Sequence, residues 1–141
     1  MRIEILYHSD IEPIRLQENG DWLDLRAAEA VEFKAGEHKL ISLGVSLRLP
    51  PGYEAHVAPR SSTFKHWGLL QTNSPGIIDE SYCGEQDIWF FSAYATRDTL
   101  VEKNDRICQF RLVKKMPRPQ LCPVEHLDGP PRGGYGSSGA R

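Results

Sequence analysis

"HKLISLGVSLRL", residues 38–49, alternates apolar and polar positions through Leu43, Val45, Leu47 and Leu49, the period of a strand with one buried face. Stretches of the same β-branched and aromatic character flank it: "RIEILYH" (2–8), "YEAHVAP" (53–59), "DIWFFSAYA" (87–95) and "DRICQFRLV" (105–113). Ten prolines and 12 glycines punctuate them. No segment sustains helical periodicity over three turns. "WLDLRAAEAVEF" (22–33) comes nearest, and "SSTFKHWG" (61–68) has room for one helical turn. The pattern predicts an all-β sandwich or barrel without internal repeats.

With 141 residues, 40% of them hydrophobic and 26% charged, the chain suits one domain with a buried core. Seventeen Lys and Arg stand against 19 Asp and Glu, a balance that argues against binding long nucleic acid by phosphate neutralisation. A single nucleotide needs only a few local cations. Cys83, Cys108 and Cys122 are odd in number and lack the close spacing of a zinc or redox pair, so they read as free thiols in a reducing compartment. No apolar run is long enough for a signal peptide or a membrane span, which makes the cytoplasm the expected location.

Neither G-x-x-x-x-G-K-[ST] nor G-x-G-x-x-G is present, so any phosphate is held by other means. His8, His38, His56, His66 and His126 are scattered and predict no transition-metal site. "APRSSTF" (58–64) sets Arg60 beside Ser61 and Ser62, either a phosphate-binding fork with hydroxyls or an ordinary helix cap. In "NSPGIIDESYCGE" (73–85), Asp79 follows two isoleucines where a strand would leave the core. Asp24 is either a surface carboxylate or an outer-sphere Mg²⁺ contact, and Gln109 is either satisfied by backbone or aimed at a ligand. "DGPPRGGYGSSGAR" (128–141) is too poor in apolar residues to order alone. It is either a tail or an arm that orders over an anion.

"WLDLRA", "PRSS", "NSPGIIDESYCGE", "DRICQF" and "RGGYGSSG" follow one another across residues 22–139. In that order they resemble the trimeric dUTPase family, which splits dUTP into dUMP and pyrophosphate, keeping uracil out of DNA and supplying dUMP for thymidylate synthesis. The resemblance is nearest to the branch of Gram-positive bacteria and their phages. It implies a distorted β-barrel of jelly-roll type over residues 1–127. Residues 128–141 would form a flexible arm closing over the active site of a neighbouring subunit in a homotrimer.

By the same resemblance, Asn73, Gly76 and Ile78 belong to a hairpin that reads uracil through backbone groups, and Tyr82 packs on the deoxyribose. Asp79 corresponds to the general base that activates water against the α-phosphorus. Asp24 corresponds to the residue that holds Mg²⁺ through water. Arg60, a catalytic residue with Asp79, and Ser61 and Gln109 correspond to contacts on the phosphates or the groups beside them, and Arg132, Ser137 and Ser138 to arm residues near the γ-phosphate, with Ser62 and Gly136 also binding substrate.

Two departures stand out. Only Gly133 and Gly134 separate Arg132 from Tyr135, which leaves Tyr135, Phe90 and Phe91 as candidate rings over the base; Phe90 is the expected one, with plain core as its alternative. Asp21 and Trp22 stand where the family commonly has Ala-Gly. A dCTP deaminase would carry an acid about where this chain has Trp89. A regulatory protein acting on a repressor-type partner is the other reading, which an intact Asp24, Asp79 and arm disfavour.

Overall fold

Turn residues cut the chain into short strands. The computed structural model describes residues 1–136 and Gly139. In chain order the strands are β1 (Glu4–Tyr7), β2 (Leu23–Arg26), β3 (Val31–Phe33), β4 (His38–Ser42), β5 (Val45–Arg48) and β6 (Tyr53–Pro59). After helix α1 (Thr63–Trp67) come β7 (Leu69–Gln71), β8 (Gly76–Ile78), β9 (Phe90–Ala95), β10 (Thr99–Val101) and β11 (Arg106–Lys114).

They pair into sheets ordered β2-β11-β6-β8, β4-β9-β7, β1-β5 and β10-β3, every pair antiparallel. The all-β expectation holds. The sheets enclose one core in the manner of a jelly roll without closing into a continuous barrel. Phe33, Phe91, Phe110 and Trp89 are fully buried there, each contributing about 2–3 kcal/mol by removal of apolar surface from water. Trp89 meets Phe110 edge to face, with ring centroids 5.3 Å apart.

Two segments depart from their sequence pattern. The alternating run at 38–49 divides at Leu43–Gly44 into β4 and β5, which pair with different partners, β9 and β1. Gly44 has φ of 65°, and a Cβ there would lie 2.9 Å from Ala28 Cβ. The most helix-like stretch, 22–33, forms β2 and β3, because Leu25 and Phe33 reach the core by pairing with β11 and β10. The single turn expected in "SSTFKHWG" is α1, stopped by Gly68 in the left-handed region at φ of 64°.

The buried core ends at Phe110, and residues 114–136 are all exposed. The body of the fold is therefore complete before the C-terminal segment begins.

Candidate active site

Register brings the first group of candidates together at one end of the larger sheet. Gln109 on β11 stands opposite Asp24 on β2 and Ala58 on β6, two residues before Arg60, which lies just beyond the end of β6. A register shift in β11 between Arg106 and Cys108 turns the Arg106 side chain toward the same end. Asp24 is gripped from both sides: Arg60 Nε lies 3.1 Å from its Oδ1 and Arg106 Nη1 3.2 Å from its Oδ2. Its side chain is only 16% exposed, so these pairs are screened less than surface ones. Asp24 thereby holds two guanidiniums at one side of a cavity of about 540 Å³, which Glu18 and Asp21 also line. Ser61 and Gln109 also line it.

The turn that presents Arg60 is fastened by Thr63, which the sequence did not mark. Arg60 N donates to Thr63 Oγ1 (2.8 Å), and Thr63 Oγ1 donates to Ile107 O (3.0 Å) with Thr63 fully buried. Arg60 Nη1 also donates to Arg106 O at 3.1 Å. Ser62 occupies the N-cap position of α1 but makes no side-chain capping bond, so the cap reading does not account for its hydroxyl. Gln109 is in part satisfied by backbone, its Nε2 donating to Pro59 O at 3.1 Å, while its side chain still lines the cavity.

The unusual Asp21-Trp22 pair forms a wall of this cavity. Asp21 Oδ2 pairs with Arg111 at 2.9 Å, and the Arg111 guanidinium sits 5.9 Å over the Trp22 ring. Arg111 follows Gln109 on the same face of β11, which is why a residue two places before Asp24 can meet it.

The second group lies on the connection from β7 through β8. The expected hairpin is not formed as a paired ladder, because β7 pairs with β9 and β8 with β6 in a different sheet; Asn73 is exposed in the connection between them, Gly76 is buried and Ile78 is half-buried. Gln71 Nε2 donates to Val57 O (3.1 Å) across this connection, and a Cβ on Gly76 would lie 3.0 Å from that nitrogen. Asp79, just past β8, is exposed and points its Oδ2 at Ser81, accepting from the Ser81 N–H at 2.9 Å and from the Ser81 hydroxyl. The Ser81 hydroxyl bond, then the Ser81 N–H bond, hold the Asp79 carboxyl below the usual range, with Lys115 adding a smaller pull. Asp79 is thus ionised at neutral pH. Tyr82 is exposed at 38%, its hydroxyl donating to Ile88 O at 2.9 Å.

Phe90 is not core: it is 43% exposed on the outer face of β9, opposite Ser42, whereas its neighbours Trp89 and Phe91 are buried. Phe91 therefore stacks on no ligand. Trp89 fills the interior where a deaminase would place its acid.

The two groups are separated in one chain. Ile78 pairs with Ala55, so Asp79 stands level with Glu54, six residues along β6 from Arg60 and about 20 Å away at strand rise. Arg132, Tyr135 and Gly136 are exposed, and Ser137 and Ser138 lie outside the described residues. Among the described residues no group of three or more His, Cys, Asp or Glu is arranged to hold a metal ion by itself.

A protein-family model described as dUTPase matches residues 13–139. The SPbeta prophage-derived deoxyuridine 5'-triphosphate nucleotidohydrolase YosS of Bacillus subtilis (strain 168) is 56% identical over 142 residues, covering 100% of both chains. Among solved structures, the dUTPase of Staphylococcus bacteriophage 80alpha with dUpNHpp aligns at TM-score 0.79 and 20% identity, covering 98% of each chain. That protein is described as controlling transfer of virulence genes. A variant dUTPase from phage phi11 of S. aureus, described for its coordination of a structural Mg(II) ion, aligns at TM-score 0.77 and 17% identity, covering 89% of this chain and 98% of its own.

Proposed function

The chain belongs to the dUTPase family and hydrolyses dUTP; from that premise we propose how its residues divide the work. Asp79 takes the proton of a water that attacks the α-phosphorus. The bond from that phosphorus to the bridging oxygen breaks, and pyrophosphate leaves with the charge. Phosphoanhydride hydrolysis asks the protein mainly for positioning and charge neutralisation. Arg60 and Arg106, already turned into the cavity, supply the positive charge, with Ser61, Ser62 and Gln109 as hydrogen-bonding partners of the phosphates.

Asn73, Gly76 and Ile78 read uracil. A site built around backbone donors and acceptors rejects a mispaired base more strongly than an extra methyl. Tyr82 packs on the sugar. The ring over the base is Phe90 or Tyr135, the two exposed candidates. Arg132, Gly136, Ser137 and Ser138 close over the phosphates, expelling water.

Mg²⁺ fits this donor set as an outer-sphere ion. Asp24, whose oxygens are shared with Arg60 and Arg106, would reach the ion through water, with Glu18 and Asp21 on the same cavity, and most ligands would come from substrate phosphates and water. When bound, it neutralises phosphate charge.

The observation that carries the reading is the distance of about 20 Å along β6 between Arg60 and Asp79. A strand held in a ladder on both sides cannot fold to close that gap, so the base must come from another copy of the chain. Exposed Leu40, Leu70 and Tyr94 on the outer face of the β4-β9-β7 sheet provide apolar surface for such contacts. We read that assembly as a homotrimer with shared sites, the exposed segment after Lys114 reaching a neighbour.

Mixing two inactive variants tests it. Asp79→Asn should abolish turnover while sparing dUTP binding, and Arg60→Ala should also be inactive. After unfolding and reassembly at equal amounts, about a quarter of the sites should draw both native residues from different chains and recover activity. A site within one chain recovers none.

A further inference from the structure

Asp79 sits where regular structure runs out. β8 ends at Ile78, and residues 79–89 form no strand or helix before β9 begins. The Ser81 bonds aim the carboxylate relative to its own backbone two residues away, but they do not tie the loop to the sheet. Ser46 Oγ of β5 ties the far part of the loop by donating to Glu85 O at 2.9 Å, and the ties beside Asp79 come from the next residue. Glu80 Oε1 accepts from Gly52 N at 2.6 Å, in the turn that opens β6, and Glu80 Oε2 meets Lys115 Nζ at 3.2 Å. Lys115 N in turn donates to Gly52 O at 2.9 Å, closing a three-membered latch.

The latch spans 28 and 35 residues in sequence, against two for the Ser81 bonds. Lys115 is also where β11 has ended and the exposed C-terminal segment begins. The Glu80 side chain is half-buried, whereas Lys115 reaches it from the exposed segment. The Gly52 bond, then Lys115, hold the Glu80 carboxyl below its ordinary range, so both oxygens accept at neutral pH.

We propose that Glu80 is a positioning residue for the base: through Gly52 and Lys115 it fixes the loop carrying Asp79 against the sheet, at the root of the C-terminal segment. It touches no substrate. Its contribution is to keep the carboxylate within reach of the attacking water, where a displacement of about 1 Å can cost up to a hundredfold in rate. This rests on Asp79 being the base.

The test compares steady-state dUTP hydrolysis by Glu80→Ala, Glu80→Gln, Lys115→Met and Asp79→Asn. Glu80→Ala should lower kcat about tenfold with KM within about twofold, the split expected when a group acts only on the transition state. Glu80→Gln keeps an acceptor for the Gly52 N–H and should recover most of the loss. A merely structural role would lower thermal stability without that kcat-specific loss and rescue. Unchanged kcat in Glu80→Ala, or a loss confined to KM, overturns the proposal while Asp79→Asn remains inactive. An active Asp79→Asn removes the base assignment and the latch falls with it. Should Glu80→Ala fail to fold, Lys115→Met carries the test: a loss in kcat of about threefold supports the latch, and none overturns it.

Discussion

Replacing Thr63 by valine isolates the one buried hydroxyl on which the Arg60 turn hangs. The hydroxyl accepts from Arg60 N at 2.8 Å and donates to Ile107 O at 3.0 Å, and both Thr63 and Ile107 are fully buried. Valine keeps the volume, so the cost is two unpaired backbone groups and not a cavity. At about 1–3 kcal/mol for each unsatisfied group, and with Arg60 only half-buried, the sum falls near 3 kcal/mol. For a chain of this size that is a fall in Tm of roughly 10 °C. Calorimetry at one fixed protein concentration reads it, because assembly makes Tm concentration-dependent. Thr63→Ser keeps both bonds and gives up one methyl, about 1 kcal/mol, so it should stay close to the parent. The valine variant that folds should also show a raised KM for dUTP, since its guanidinium is presented by a loosened turn. A Tm within 2 °C of the parent, on the scale of about 2–4 °C per kcal/mol, would refute the claim that Thr63 fastens the site.

Three other outcomes are expected. Ser81→Ala removes the largest cause of the lowered Asp79 pKa, so the acid limb of kcat/KM should move to higher pH while the rate at neutral pH holds; an unmoved limb would separate Asp79 from the titration that limits the rate. Deleting residues 128–141 should slow hydrolysis severely and leave thermal unfolding of the body unchanged, because none of the described residues in that segment is buried; unaltered kinetics would make the segment a tail. Phe90→Ala should weaken dUTP binding with little loss of stability, as its ring is exposed, and unchanged affinity would leave Tyr135 as the ring over uracil.

Strands were legible wherever short-range pattern and long-range pairing agree. "YEAHVAP" is β6 residue for residue, and its neighbours on both sides complete the ladder without demanding an exception. They disagree at 22–33, where Ala27, Ala28, Glu29 and Ala30 favour a helix locally. Pairing with β11, some eighty residues on, places Leu25 and Ala27 in the core instead. The break at Gly44 was hidden for a different reason. Alternation continues across it in sequence, and only the approach of Ala28 shows that a side chain has no room there.

The candidate site was legible as an ordered set of residue types, but not as distances. Asp24, Arg60 and Gln109 do converge, because adjacent strands carry them to one sheet end. Arg106 joins them through a register shift, and Thr63 through a partner 44 residues away, neither of which leaves a local pattern. Asp79 does not join them. Its strand runs antiparallel to β6 and leaves it at the end opposite Arg60, so motifs contiguous in the reading are half-sites in the chain. That separation also explains why the loop bearing the base needs a tie of its own. The cluster of Asp24, Arg60, Arg106 and Gln109 rests on three hydrogen-bonded strands, whereas Asp79 follows a strand of three residues at the sheet edge. An edge that short holds its last residue weakly, and in the proposed assembly that residue must meet groups presented by another copy. Fixing Glu80 to Gly52 and Lys115 places the burden on the body of the fold, where the ladder between β6 and β11 is longest.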